Sequence, residues 1–275
     1  MHTLRFAACS ILAAAACWTT SWVRGADDGP AAPLAHAHAH NDYLHERPLL
    51  DALDHGFTSV EADIFLVDGQ LLVAHDRREL SSERTLRGLY LDPLRERVRA
   101  NQGSVHPGGG QFYLLIDIKS AAEPTYAVLA KTLADYADII SVVRDGTVER
   151  KAVDVAISGN RPFATMRTEA VRYAGLDGRM GDLDSDAPPH LMPLVSDRWG
   201  AHFKWRGRGP IDEAERKKLD DAVARAHDGG RRIRFWATPE TVEAWHVLHA
   251  AGVDHINTDD LAGLETFLRG ETGND

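Results

Sequence analysis

Cysteine is nearly absent from this chain of 275 residues, which has two, Cys9 and Cys17, both within the first twenty positions. A disulfide framework is therefore excluded for the rest of the chain. Positive charge is also scarce, because 31 Lys and Arg residues stand against 41 Asp and Glu residues. Nucleic-acid binding depends on neutralising phosphates, and attachment to anionic lipid depends on a basic amphipathic stretch, which the sequence lacks. These absences argue against nucleic-acid and membrane-surface partners.

The remaining composition is that of a folded protein. With 44% hydrophobic and 26% charged residues, disordered and fibrous architectures are excluded. The sequence has no internal repeat and no long linker. We therefore predict a flexible leader over residues 26–34, one domain over 35–270 and a short tail over 271–275. The pattern makes no prediction of oligomeric state.

The first twenty-five residues predict a secretory signal peptide. A basic start, Met1 to Arg5, leads into an apolar stretch from Phe6 to Trp18 that is too short to span a membrane. Val23 and Gly25 suit cleavage after residue 25, although lipid attachment at Cys17, after three alanines, is an alternative. Cleavage would remove two arginines and change the net charge from −10 to −12. The mature chain is predicted to be secreted or periplasmic, without a transmembrane segment.

Short apolar runs alternate with helical segments along the domain. Helices are predicted over 121–136, 212–228 and 239–251, the last capped by Thr238 with Pro239 at its first position. The pair Asp68-Gly69 signals a hairpin within 65–111, and 175–210 is rich in loop residues. The predicted strands are 35–40, 58–64, 112–118, 153–158, 170–174, 192–196, 232–236 and 253–257.

Eight strands with intervening helices predict an α/β fold, a single (β/α)8 barrel of the TIM type. A doubly wound open sheet is the main competitor. It is disfavoured because no glycine-rich nucleotide fingerprint follows the first strand.

Ionisable residues interrupt the strand patterns. Residues two apart on a strand face the same way. Four sets therefore share a face: His36, His38 and His40; Glu61 and Asp63; Asp117 and Lys119; Arg234 and Trp236. Unpaired carboxylates are costly to bury, but they are tolerated at the carboxyl ends of barrel strands, where a solvated site gathers loops.

Glu61, Asp63 and Asp117 are the candidate metal ligands. Three carboxylates on neighbouring strands offer hard oxygen ligands, which suit Mg²⁺ or Ca²⁺ better than Zn²⁺. Taken singly, Glu-X-Asp is a common solvated strand end and Asp-Ile-Lys a common surface ion pair. His36 is predicted to be a packed histidine, and His38 fits either role.

The ordered combination of these motifs resembles the glycerophosphodiester phosphodiesterase branch of the phospholipase C-like phosphodiesterase superfamily. The resemblance runs from His40 to about Leu261. Its motifs are His40-Asn41, Glu61-Ala62-Asp63, His75-Asp76, Asp117-Ile118-Lys119, Phe235-Trp236, Gly252-Val253-Asp254 and Thr258-Asp259.

Two departures separate this chain from the usual pattern of that family. Asn41-Asp42-Tyr43 stands where Arg-Gly usually follows the first histidine, and His45-Glu46-Arg47-Pro48-Leu49 replaces Pro-Glu-Asn-Thr. The His-Ala-His-Asn-Asp-Tyr form resembles a secreted subgroup. The missing arginine removes a phosphate contact, and we expect Arg234 to supply the charge.

The resemblance implies a metal-dependent phosphodiesterase of lipid or head-group metabolism, acting on glycerophosphodiesters or phospholipid head groups. His40 and His75 would be its general acid and base, in an order left open. Lys119 would add positive charge at the phosphate, and Asn41, Arg234 and Trp236 complete the predicted substrate site. Product release as a monoester or as a cyclic phosphate is left open. Trp199 and Trp205 either form an exposed lipid-binding loop or pack under the helix over 212–228.

Two other functions are compatible with the sequence. A zinc amidohydrolase barrel would use His38, His40 and Asp259, with His190 and His202 near strand six, but it leaves the three carboxylates and Lys119 without a role. A non-catalytic barrel that binds a head group is the second alternative, because fold does not fix function.

Overall fold

Eight parallel strands close into a barrel in the computed structural model, which describes residues 31–272. The predicted (β/α)8 fold is confirmed. The predicted signal peptide and Cys17 lie outside the described residues, as do positions 26–30 of the leader and 273–275 of the tail.

The barrel strands are not consecutive in the chain, because four further strands lie outside the barrel. In barrel order they are β1 (Leu34–Ala39), β2 (Phe57–Val67), β4 (Phe112–Ile118), β7 (Val153–Gly159), β9 (Gly175–Gly178), β10 (Leu194–Arg198), β11 (Arg232–Trp236) and β12 (His255–Thr258). Pairing of β1 with both β12 and β2 closes the ring.

The four other strands form two antiparallel additions. β3 (Gln70–Val73) folds back on β2 through Asp68 and Gly69, whose φ angles of 48° and 80° suit a tight hairpin. This hairpin confirms the sequence signal. β5 (Val142–Arg144), β6 (Thr147–Glu149) and β8 (Val171–Arg172) form a separate three-stranded sheet.

Helices connect and cover the barrel strands. They are α1 (Leu50–Asp54), α2 (Asp92–Ala100), α3 (Ala122–Ala134), α4 (Phe163–Thr168), α5 (Trp199–His202), α6 (Glu213–Asp228), α7 (Val242–Ala250) and α8 (Leu261–Thr272). Short single-turn segments occur at Asp42–Leu44, Arg77–Glu79 and Met180–Asp182, and a π-helical turn at Arg87–Leu91 precedes α2. None of the described helices is long and apolar enough to cross a membrane.

The fifth barrel strand was predicted at 170–174, and that position is wrong. Val171 and Arg172 pair with β5 in the small sheet, whereas the barrel strand is Gly175–Gly178. The two glycines and the aspartate of this strand are typical of a turn, so the sequence did not indicate a strand here. Packing requires Gly175, because a Cβ there would lie 2.3 Å from the rigid Pro193 ring, and a Cβ at Gly178 would lie 2.5 Å from Met192 Sδ and displace that side chain.

The predicted start of the last long helix is also wrong. Thr241, not Thr238, is the N-cap of α7, and its Oγ1 accepts a hydrogen bond from the Ala244 amide at 3.2 Å. Thr238 and Pro239 belong to the preceding loop, where Ala237 has a φ of 52°. Both threonines are good N-caps, so the local sequence does not choose between them.

Candidate active site

The carboxylates of Glu61, Asp63 and Asp117 meet inside the carboxyl-terminal half of the barrel. β2 and β4 are paired so that Asp63 lies beside Asp117, and Glu61 shares their face two residues earlier on β2. One carboxylate oxygen from each residue lies within 4.8 Å of the others. Within residues 31–272, this is the one group of three or more potential ligands brought together in this way.

Glu61 is held by a buried pair of side chains beneath it. Arg234 donates to Glu61 Oε2 at 2.7 Å and also contacts His38 Nε2. A guanidinium can only donate hydrogen bonds, so His38 Nε2 accepts from Arg234. The other ring nitrogen, His38 Nδ1, then donates to Ser59 Oγ at 2.7 Å. Burial, reinforced by Arg234, lowers the pKa of His38 to about 3, so this ring is neutral. Burial alone would raise the pKa of Glu61, but the Arg234 guanidinium holds it well below its ordinary value.

Asp63 and Asp117 are less fully compensated than Glu61. Lys119 Nζ lies 3.1 Å from Asp63 Oδ2 and 3.2 Å from Asp117 Oδ2. Their other oxygens, Asp63 Oδ1 and Asp117 Oδ1, are buried and have no hydrogen-bond partner. Burial and the neighbouring Glu61 charge raise the pKa of Asp63 to about 6, against the effect of Lys119, and burial also raises the pKa of Asp117.

These carboxylates fit a divalent cation. Buried carboxylate oxygens without partners are costly, and a hard cation that prefers oxygen ligands would satisfy them. Three oxygen donors with no cysteine or histidine among them suit Mg²⁺ or Ca²⁺ better than Zn²⁺.

The β2–β3 hairpin brings His75 to this cluster. β3 runs back along the end of β2, so that His75 Nδ1 lies 3.1 Å from Asp63 Oδ2. Tyr43 Oη lies 2.9 Å from the same nitrogen and 2.7 Å from the same carboxylate oxygen. Because the Asp63 carboxylate can only accept, this nitrogen carries the proton and donates to it. The second ring nitrogen, Nε2, is then the basic atom of His75.

His40 is oriented in a similar way at the end of β1. Its Nδ1 donates to Asp259 Oδ1 at 2.8 Å, and Asp259 follows β12, the strand beside β1. Asn41 Nδ2 lies 3.3 Å from the same Asp259 oxygen and 2.9 Å from His40 Nδ1. Burial raises the pKa of Asp259, but the His40 hydrogen bond outweighs it and the pKa is lowered. The carboxylate therefore fixes the His40 ring with Nε2 as its basic atom.

The unusual Asn41-Asp42-Tyr43 segment forms part of this site. Tyr43, which the sequence did not single out as a site residue, hydrogen-bonds Asp63 and also lies 2.6 Å from Asn41 Oδ1. Asp42 is fully buried and accepts from the Leu49 amide and the Tyr90 hydroxyl at 2.6 and 2.8 Å. The sequence signal that could have identified Tyr43 as a site residue was the position of this segment directly after His40.

Of three other predicted residues, Arg234 is placed differently from the expectation, His36 is packed as predicted, and the role of Trp236 stays a prediction. Arg234 is 3% exposed and held by Glu61, so it supports a carboxylate instead of facing a phosphate. His36 donates to or accepts from no site residue; its ring packs edge-on against His249, beside a register shift in β1. Trp236 is half-buried at the end of β11, with the Arg198 guanidinium 5.9 Å from its ring centroid.

Two arginines at the carboxyl-terminal end of the barrel were not predicted as site residues from the sequence. Arg179, after β9, donates to Asp177 Oδ2 at 2.8 Å, and Arg161, after β7, donates to the Asp177 carbonyl. Asp177 is fully buried between Ser158 and Ser196. Burial and the nearby Arg179 charge lower the pKa of Arg161. Arg179 was missed because the strand before it was predicted at the wrong place, whereas Arg161 follows β7, which was predicted correctly.

The zinc amidohydrolase arrangement does not fit this geometry. Both nitrogens of His38 are engaged by Ser59 and Arg234, and the ring is 1% exposed. Neither His190, near the small sheet, nor His202, paired with Asp197 at 3.0 Å, joins the carboxylate cluster.

Comparison with known proteins finds similarity to phosphodiesterase domains. Residues 31–174, more than half of the chain, match the model of the AIM6-like phosphodiesterase domain, and residues 232–262 match that of the glycerophosphoryl diester phosphodiesterase family. Similar curated proteins include the altered inheritance of mitochondria protein 6 homolog of Arthroderma benhamiae, 27% identical over 84% of this chain and 83% of that protein. Altered inheritance of mitochondria protein 6 of Eremothecium gossypii is 30% identical over 85% of this chain and 69% of its own length.

A solved structure with the same fold is a glycerophosphodiester phosphodiesterase from Parabacteroides distasonis. It aligns with a TM-score of 0.51 over 88% of this chain and 100% of that chain, at 14% sequence identity. This similarity supports the barrel fold.

Proposed function

We propose that this chain, which belongs to the family of AIM6-like phosphodiesterase domains, hydrolyses phosphodiesters with a divalent cation held by Glu61, Asp63 and Asp117. The observation that carries the proposal is the pair of buried oxygens, Asp63 Oδ1 and Asp117 Oδ1, that have no partner beside a third carboxylate. Mg²⁺ or Ca²⁺ matches these ligands. Such a cation supplies charge neutralisation at a phosphoryl oxygen and a lowered pKa for an attacking hydroxyl or water.

His40 and His75 would be the acid and base of the reaction. A carboxylate oxygen fixes Nδ1 of each ring, which leaves Nε2 of each to take or give a proton. Histidine suits both roles because its ordinary pKa lies near neutral pH. One ring would deprotonate the attacking hydroxyl or water, and the other would protonate the leaving oxygen.

Positive side chains would bind the phosphate. Burial opposes the charge of Lys119, but Asp63 and Asp117 raise its pKa, so it is an ammonium beside the carboxylates. Arg161 and Arg179 lie at the ends of β7 and β9 on the same carboxyl-terminal side of the barrel. We assign to them the phosphate contact that the missing arginine after His40 would have made.

A soluble glycerophosphodiester is the substrate class that we favour. Trp199 is 1% exposed and stacks on Phe203, and the Trp205 amide hydrogen-bonds Glu215 of α6 at 2.9 Å. These contacts support the packing interpretation of the two tryptophans over the lipid-binding loop. We further propose that the mature chain is secreted or periplasmic, on the strength of its N-terminal sequence.

The test is hydrolysis of glycerophosphocholine followed by ³¹P NMR, with EDTA, Mg²⁺, Ca²⁺ or Zn²⁺. We expect Mg²⁺ or Ca²⁺ to support turnover, and the phosphorus spectrum to distinguish a monoester from a cyclic phosphate. The His40→Ala variant should be inactive with an unchanged melting temperature. Turnover in EDTA equal to that with metals would contradict the proposal, and so would full activity of His40→Ala.

A further inference from the structure

A cavity of about 770 Å³ opens inside the barrel at the end opposite the candidate active site. Its lining includes the first or second residues of five barrel strands, Tyr113, Asp154, Gly175, Leu194 and Arg232. The small sheet adds Val143 and Val148 to the lining. The cavity is therefore entered from the amino-terminal side of the strands.

Small residues at three inward positions in this half of the barrel leave room for the cavity. Bulky branched residues usually fill a TIM barrel in layers. Here Ala156 and Gly175 are neighbours in the register of β7 and β9, and Ser59 occupies an inward position of β2. A volume of this size lies within the range of sites for small organic ligands.

The inner end of the cavity presents polar atoms that have no partner. His255 is 2% exposed and Arg234 is 3% exposed, and both line the cavity. His255 Nδ1 and Arg234 Nε lack a hydrogen-bond partner within the described chain. Ser59 Oγ accepts from His38, which leaves its own proton for another acceptor. Buried polar groups are nearly always hydrogen-bonded, and Arg234 Nε and the Ser59 hydroxyl have protons to donate, so they point to a ligand that accepts hydrogen bonds.

The charge of the lining points to an anion. Arg150, Arg231, Arg232 and Arg234 line the cavity against two carboxylates, Asp154 and Asp254, in a protein whose net charge is −10. The Arg232 guanidinium lies 3.9 Å from the centroid of the Tyr113 ring. It has no carboxylate partner among residues 31–272, whereas Arg234 is paired with Glu61 and Arg150 with Asp154.

We propose that this cavity binds a small amphipathic anion, an alkyl chain that ends in a carboxylate or phosphate. The acidic oxygens would accept hydrogen bonds from Arg232, Arg234 Nε and Ser59. The alkyl chain would lie against the apolar lining of Leu115, Ala156 and Leu194. The proposal does not rest on the phosphodiesterase function, although the two sites share Arg234, which also holds Glu61.

The experiment is isothermal titration calorimetry of the purified protein with decanoate, decyl phosphate and the uncharged 1-decanol. We expect saturable binding of at least one anion at a ratio of one to one, with 1-decanol at least about tenfold weaker. Comparison of decanoate with decyl phosphate identifies the preferred head group. Absence of saturable binding by both anions would overturn the proposal, and equal binding of 1-decanol would overturn its anionic part.

Matched variants locate the binding. Arg232→Gln should weaken anion binding at least about tenfold, whereas Arg232→Lys, which keeps the charge, should bind more tightly than Arg232→Gln. Ala156→Leu should fill the cavity and abolish binding, and Ala156→Ser, which preserves its volume, should not. Wild-type affinity in both Arg232→Gln and Ala156→Leu would overturn the site. If Ala156→Leu fails to fold, the Arg232 pair decides alone.

Discussion

At the scale of single residues, the three acids of the candidate site differ in how fully positive side chains compensate their charges. Glu61 has its own counter-ion in Arg234, whereas Asp63 and Asp117 share Lys119 and keep one buried oxygen each without a partner. The identities of these residues were predictable from the sequence, since polar side chains recur on one face of each strand. The inequality was not predictable, because Arg234 comes from a strand that lies 173 residues further along the chain from Glu61.

The raised pKa of Asp63 predicts how metal affinity depends on pH. This carboxyl has a pKa of about 6, mainly because of its burial, and it must lose its proton to bind a cation. The affinity for Mg²⁺ or Ca²⁺ should therefore be constant above about pH 7 and fall about tenfold per unit below pH 6. Calorimetric metal titration between pH 5 and 8 measures this. An affinity that does not change over this range would contradict the assignment of Asp63 as a ligand.

Asp259 is a positioning residue for His40, and its replacement should separate orientation from binding. In Asp259→Asn the amide can donate to the ring, which favours the wrong tautomer. We expect kcat to fall on the order of 10²- to 10⁴-fold with KM little changed. Asp184→Asn, which removes an exposed partner of Arg225, is the control and should be silent. An increase in KM with an unchanged kcat would show that Asp259 binds substrate instead.

At the scale of elements, strand ends and loops bring side chains to the site whose positions no single sequence motif predicts. The β2–β3 hairpin was predictable from Asp68-Gly69, and it is what returns His75 to Asp63. The strand Gly175–Gly178 was not predictable, because its glycines are selected by contacts with Pro193 and Met192 that lie outside the local sequence. Arg179, which follows that strand, was therefore missed.

Gly159 at the end of β7 leaves the space that Asp117 occupies. A Cβ at this position would lie 2.0 Å from Asp117 Oδ1, and the φ angle is 66°. Gly159→Ala should displace the carboxylate and weaken metal binding at least about tenfold. Gly109→Ala is the matched control, because Gly109 has a φ of 80° but nothing within 4 Å of its added Cβ. Equal metal affinity in the two variants would show that contact with Asp117 does not control metal binding.

The loop after β1 predicts a specific dependence of stability on pH. Burial raises the pKa of Asp42 to about 7, although Leu49 and Tyr90 donate to it. Its pKa in the unfolded chain is about 3.9, so the folded state binds the extra proton and the free energy of unfolding falls as pH rises between about 4 and 7.

Asp42→Asn should abolish this fall in the free energy of unfolding, which is on the order of 4 kcal/mol for a pKa shift of about 3 units. The asparagine still provides an oxygen that accepts from the Leu49 amide. Urea unfolding at several pH values measures the difference between the two proteins. Parallel curves for wild type and Asp42→Asn would contradict it.

At the scale of the whole molecule, the barrel has two distinct ends. The carboxyl-terminal end collects acids, histidines and two arginines around the proposed cation, as expected for a barrel enzyme. The amino-terminal end holds a cavity that the sequence analysis did not anticipate, because it arises from small residues on several strands rather than from a motif. The fold itself was predictable because alternation of strands and helices extends over the whole domain.

The most direct test of the central claim is glycerophosphocholine hydrolysis during Mg²⁺ and Ca²⁺ titration, with wild type beside Asp117→Asn. After EDTA treatment, wild-type activity should return and saturate with one of the two cations. Asp117→Asn should need at least about tenfold more cation for half-maximal activity, or show no activity. The account would be contradicted if activity did not depend on the cation, or if Asp117→Asn followed the wild-type titration curve.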